Sequence, residues 1–259
     1  MASARRGEGP PRTHGGARPG AGRKPNVPGH PRHRHHTRPP LDPRFPVHVI
    51  KWVRREVARL RSADLYGVLQ PAFVHGSRRD QFRICQFSIQ DNHIHLICEA
   101  SDATQLARGI QGWSVRAARA INRHLGRAST VFDDRYHVEI LRTAAQTRSA
   151  LAYVLQAARL HGAPLDPRFG GADPFSSAWW FDGWDDASWR DGVPPPELRT
   201  VAAPETWLLR TGWRRVPPGL VSITETPPAR ALTVPPGALP LEAPVRSRAS
   251  PRAARAGRP

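Results

Sequence analysis

Phe82-Arg83-Ile84-Cys85-Gln86-Phe87-Ser88-Ile89 and His93-Ile94-His95-Leu96-Ile97-Cys98, joined by Gln90-Asp91-Asn92, read as two strands and a turn. On the first arm Cys85, Phe87 and Ile89 alternate with Gln86 and Ser88; on the second, Ile94, Leu96 and Cys98 alternate with His93 and His95. Successive side chains of a strand point to opposite faces. The hairpin is therefore predicted to have one apolar face and one polar, open face, with both histidines on the open one. Two imidazoles on a single rigid strand stand near enough to grip one divalent cation, while Ile94 anchors the strand in the core.

Working outward, Pro46–Val53 reads as a first strand, and residues 56–79 as mostly helix, with Pro71 interrupting it or opening a second helix. After the hairpin, Leu106, Ile110, Trp113, Ala117 and Ile121 recur at spacings of three or four and predict a long amphipathic helix over about 103–125. A separate stripe of Arg116, Arg119, Arg123 and Arg127 runs along it. Residues 131–141 read as a strand, and 145–161 as a closing helix ended by Gly162 and Pro164. The order β-α-β-β-α-β-α predicts an α/β (α+β) domain, a ferredoxin-like antiparallel sheet with helices on one face, over residues 45–162.

The flanks differ in composition. Residues 1–44 are Gly, Pro, Arg and His with hardly any aliphatic side chains, and are predicted to be a disordered basic arm. Within it, Ala17–Pro25, carrying Arg23 and Lys24, is a short basic hook suited to a DNA groove. Residues 163–216 are acidic and Trp-rich (Trp179, Trp180, Trp184, Trp189), a wrapping extension with a short helix near 206–214; 217–259 is a second Pro/Arg tail.

Lys plus Arg is 39 against 21 Asp plus Glu, a formal net charge of +18. A charge this positive points to a polyanionic partner, nucleic acid ahead of membrane. No stretch approaches the roughly 20 apolar residues of a spanning helix. Cys85 and Cys98 read as buried thiols on neighbouring strands in a reducing cytosol, and two cysteines are too few for a cysteine zinc site.

A metal held by imidazoles acts as a Lewis acid on a phosphodiester, and the reaction then needs a nucleophile. Of the three tyrosines, Tyr66 reads as packing and Tyr136 as a structural aromatic in a strand. Tyr153 lies in the closing helix, which this order of elements can bring beside the central strands.

The His93-Ile94-His95 strand, the long helix after it, Val131-Phe132-Asp133-Asp134-Arg135-Tyr136-His137 and then Ala152-Tyr153-Val154-Leu155 together resemble the IS200-like single-tyrosine transposases. These are HUH nucleases (His, bulky hydrophobic, His), and more narrowly the chain resembles the branch associated with repetitive extragenic palindromes. It implies that His93 and His95 bind Mg²⁺ or Mn²⁺. It implies that Tyr153 attacks single-stranded DNA at hairpin elements, leaving a 5′-phosphotyrosine and a free 3′-OH. Basic surfaces that include Arg116, Arg119 and Arg123 would hold the hairpin. It also implies a bacterial cytoplasmic, nucleoid-associated protein with no membrane partner. A homodimer stays open, because some relatives assemble each site from two subunits.

The family usually carries Gln or Asn four residues after the tyrosine as a third metal ligand. Here that position is Ala157, and Gln156, three residues on, is the substitute the helix offers. The alternatives are a two-histidine site completed by water, or a protein that has lost cleavage and recognises hairpin nucleic acid without cutting it. A basic α/β domain with two surface histidines and no metal is the third reading.

Overall fold

A computed structural model describes residues 39–57, 59–77, 79–133, 135–163, 171–186 and 196–226. Residues 1–38 of the basic arm, with Arg23 and Lys24, together with Pro164, Trp189 and the tail beyond residue 226, lie outside them. β1 (Val47–Trp52), α1 (Ala63–Ser77), β2 (Phe82–Ile89), β3 (His93–Ala100), α2 (Ala103–His124), β4 (His137–Ile140) and α3 (Ala144–Leu155) follow in the predicted order. The four strands form one antiparallel sheet in the order β2-β3-β1-β4, the ferredoxin-like arrangement, with the histidine strand at its centre.

Local chemistry explains most element ends. Asp102 caps α2, its carboxylate accepting from the Thr104 and Gln105 amides at 2.7 and 2.8 Å. Thr143 and Gln146 form a reciprocal capping box at the start of α3. Helix α1 starts seven residues later than predicted, because residues 55–57 make only a single 3-10 turn and Arg59 takes φ 82°. Pro71 sits inside α1 without ending it; the carbonyl its ring crowds belongs to Gly67, on an open side of the helix. β4 is shorter than the predicted strand, and Phe132 only makes an isolated bridge to Val53.

The two faces of the sheet close differently. Val47 and Val49 of β1, and Ile94, Leu96 and Cys98 of β3, pack with the α2 stripe Leu106, Ile110, Trp113, Ala117 and Ile121 in one core that also takes in α1. Each Val, Leu or Ile among them contributes roughly 1.5–3 kcal/mol on burial. Gly109 lets α2 lie directly against the sheet, since a Cβ there would overlap the Phe82 ring. The opposite face carries His93, His95 and Ile97, and it is covered rather than open: His95 is fully buried and His93 is 4 % exposed. α3 lies on it, buried at every position from Ala150 to Leu155, as expected of a helix apolar on all sides. The expectation of helices on one face is thereby corrected, with α1 and α2 on one side and α3 on the other.

Cys85 is a second correction. The β2–β3 register shifts between Ile84 and Gln86, so a bulge at Cys85 inserts one residue and turns it onto the α3 face, away from Phe87 and Ile89. Both cysteines are buried and free.

The extension folds over α3 and along the sheet edge. Ser176 bridges Ser88, the Ser177 amide donates to the Phe87 carbonyl and the Ile89 amide to the Phe175 carbonyl, so residues 175–177 cover the outer edge of β2. The Ala202 amide adds a bond to the Ile84 carbonyl. Arg61 grips Asp173 in a bidentate pair at 2.9 Å, with 9 % and 1 % of their side chains exposed. Trp184 and Trp213 are buried against α3, while Trp207 of the short helix α5 (Trp207–Arg210) is exposed. No helix among the described residues is long and apolar enough to cross a membrane.

Candidate functional site

The site lies between the centre of the sheet and α3. His93 and His95 share one face of β3 by strand alternation, and their Nε2 atoms stand 2.8 Å apart. The Nδ1 of His93 lies 2.7 Å from the Asn92 side-chain oxygen, and the Nδ1 of His95 lies 3.1 Å from Nε2 of His48. His48 comes from the adjacent β1, where it shares the parity of Ile50 and so faces α3. Trp52, at the end of β1 and paired with His93 across the ladder, packs on the His93 ring at 4.5 Å between centroids.

Tyr153 reaches this cluster from α3. Its ring meets His95 edge-on at 5.3 Å and His48 at 6.3 Å. The capping box fixes the start of α3, and the segment 219–225 fixes its position along the sheet. Arg148 of α3 donates to the carbonyls of Gly219 and Leu220 and pairs with Glu225.

The predicted closing helix does not run unbroken to His161. It stops at Leu155, turns at Gln156 and resumes as α4 (Ala157–Leu160), after which Gly162 takes φ 65°. The break decides where the next side chains go. Gln156 is buried, and its amide nitrogen donates to the carbonyls of Ser222 and Ile223 at 2.9 and 2.8 Å. Ala157 is fully buried and offers no ligand atom. His161, just past α4, is exposed and comes to His93 at 5.4 Å between ring centroids. One ligand atom each from His93, His95 and His161 lies within 4.8 Å of the others.

Burial holds the histidines neutral. It lowers His48 to about 3, with His137 adding to the effect, and His93 to about 3, with His161 and His48 adding. His95 falls well below its ordinary value through burial, helped by His93, His48 and His161. His161 is lowered by partial desolvation of its ring and by Arg61, against a smaller opposing pull from Asp91. Near pH 7 each is therefore a neutral imidazole with one N–H and one lone pair. Burial raises the Tyr153 phenol, so it stays protonated there.

His93, His95 and Tyr153 thus come together as the sequence suggests. Arg116, Arg119 and Arg123 do not join them: they are exposed on α2, across the sheet from Tyr153, and Arg116 bonds the Gly112 carbonyl of its own helix. Exposed Arg54, Arg55 and Arg59 instead follow the end of β1 beside His93. His48 and His161 were not singled out from the sequence. The parity of His48 with Ile50, and the spacing of eight residues from Tyr153 to His161, are the signals that point to them.

The family model described as "Transposase IS200 like" matches residues 44–157. Among solved structures, a REP-associated tyrosine transposase bound to a REP hairpin is 14 % identical, over 66 % of this chain and 92 % of its own, with a TM-score of 0.45. A putative transposase from Deinococcus radiodurans R1 is 13 % identical, over 40 % of this chain and 82 % of its own, with a TM-score of 0.32. No curated protein matches. The matched stretch opens just before β1, holds His93, His95 and Tyr153, and ends at Ala157 before His161; the domain of residues 44–157 belongs to the IS200-like transposase family.

Proposed function

We propose that this protein cleaves and rejoins single-stranded DNA at hairpin elements, with Tyr153 as nucleophile and a divalent ion, Mg²⁺ or Mn²⁺, held by His93, His95 and His161. The observation that carries the reading is the Tyr153 ring set edge-on against His95, within a cluster of three neutral imidazoles. His161 takes the third position in place of Gln156, whose amide is tied to the C-terminal segment. When bound, the ion supplies Lewis-acid polarisation of a phosphodiester oxygen. Tyr153 attacks the phosphorus through its phenolic oxygen; the phenol loses its proton, the P–O3′ bond breaks, and a 5′-phosphotyrosine and a 3′-OH result. Attack by another 3′-OH reverses the step and conserves the bond energy. The clamp of α3 by Arg148 and Gln156 holds Tyr153 in place on its own sheet. Arg54, Arg55 and Arg59 offer phosphate contacts beside the site, and Arg116, Arg119 and Arg123 a second basic surface for the remote part of a hairpin.

The test is incubation with labelled single-stranded hairpin DNA and Mn²⁺. A covalent adduct that survives denaturation and is absent in Tyr153→Phe supports the enzyme. Tight binding with no adduct under any divalent metal points instead to a hairpin-binding protein that does not cut, the reading favoured by the lost amide at Ala157.

A further inference from the structure

The imidazoles form a chain whose proton positions can be assigned from one end. A neutral imidazole carries one N–H and one lone pair, and a carboxamide oxygen only accepts. The Asn92 oxygen therefore places the His93 proton on Nδ1 and leaves His93 Nε2 bare. The 2.8 Å contact then requires the His95 proton on Nε2, which leaves His95 Nδ1 bare. His48 must in turn donate from Nε2, and its Nδ1, which has no hydrogen-bond partner, is left with a lone pair in the interior.

An ion at this site needs lone pairs on both Nε2 atoms. His93 already presents one; His95 does not. For His95 to present one, its proton must sit on Nδ1, and something beside Nδ1 must accept it. The atom there is His48 Nε2.

We propose that His48 is a positioning residue for the metal site, supplying the second tautomer through which His95 turns its Nε2 lone pair to the ion. The His95 Nε2 proton leaves to solvent, the His48 Nε2 proton crosses to His95 Nδ1, and solvent returns a proton to His48 Nδ1. Three imidazoles remain neutral and the proton count is unchanged. His48 Nδ1 has no partner in either state: it keeps a bare lone pair without metal and carries an unpaired buried N–H in the ion-ready state. His48 thus belongs to the layer of partners that orients metal ligands, although it touches neither ion nor DNA. The inference rests on the metal reading above.

The test uses the full chain, with Mn²⁺ titrated calorimetrically and two-bond ¹H–¹⁵N imidazole spectra recorded without metal and with diamagnetic Zn²⁺. The wild type is expected to carry the His48 and His95 protons on Nε2 without metal and on Nδ1 with Zn²⁺. His48→Phe keeps a ring of similar size but accepts nothing, and is expected to weaken Mn²⁺ binding by about tenfold or more. His48→Gln, whose amide oxygen reaches the place of Nε2, is expected to stay within a few-fold of wild type. Mn²⁺ binding by His48→Phe equal to wild type, or a His48 proton that stays on Nε2 with Zn²⁺ bound, overturns the inference and leaves the metal reading standing. A wild type that binds neither ion removes both. Should His48→Phe not fold, the wild-type spectra decide alone.

Discussion

The two faces of this sheet have the same backbone and opposite chemistry. On the α1–α2 face, aliphatic and aromatic side chains interlock, and no single hydrogen bond governs the closure. On the α3 face, three histidines, a tyrosine and the carbonyl-binding side chains of Arg148 and Gln156 are buried together, and closure depends on partners being present. One face is built to be stable, and the other is built to hold neutral polar groups in a set arrangement. The second kind of burial is the more expensive, because a polar group taken from water must find a partner.

The largest expected contrast is functional. Tyr153→Phe removes one oxygen from the α3 face and should abolish the covalent DNA adduct while the thermal midpoint stays within a few degrees of wild type. Ile110→Ala on the other face should lower stability by about 2–5 kcal/mol and leave adduct formation per folded molecule unchanged. Adduct assays on both variants, with urea melts, check the pair; loss of activity from both at equal stability would erase the distinction.

Next is the clasp that ties the extension to the end of β2. Asp173→Ala strands the buried Arg61 guanidinium and should cost about 3–5 kcal/mol in chemical denaturation. A cost below about 1 kcal/mol would show that the clasp contributes little to stability.

An effect of similar size concerns pH. Unfolded, His48 and His93 titrate near 6.5; folded, they stay neutral down to about 3. Between those values the unfolded chain binds more protons. Stability is therefore complete above pH 6.5 and falls as the pH drops toward 3, by about 1.4 kcal/mol per pH unit per group. Urea melts at pH 7, 6 and 5 should show this slope, reduced in His48→Phe. The smallest effect belongs to the α1–α2 side of the molecule: Arg116→Ala and Arg123→Ala should move stability by less than about 0.5 kcal/mol. Each should lower the slope of hairpin affinity against log salt by about 1. Binding that ignores both changes would remove that surface from the DNA interface.

The apolar face was legible in the sequence because its signal is periodic: the α2 stripe and the Ile94-Leu96-Cys98 alternation each repeat at the spacing of their element. The strand order followed from the sequence of elements. What stayed hidden depends on contacts distant along the chain. The polar face of β3 looked open because nothing near His93 indicates that Ala150–Leu155, six consecutive buried residues, will lie on it. The bulge at Cys85 leaves strand propensity untouched and only reverses parity. The break at Gln156 is fixed by carbonyls at 222 and 223, some 66 residues away, and it is this break that precedes the turn bringing His161 to the histidine pair. Tyr153, by contrast, was found through its place in a helix and its resemblance to a known pattern.

Pairing of residues 175–177 along β2 has a consequence for assembly. A four-stranded sheet has two outer edges, and here one is occupied by the chain itself, leaving β4 as the outer strand with no further strand beside it among the described residues. A molecule that can extend its sheet from one side only cannot propagate head to tail. Two copies meeting edge to edge would use the same strand from each, related by a twofold axis, and growth would end at the pair.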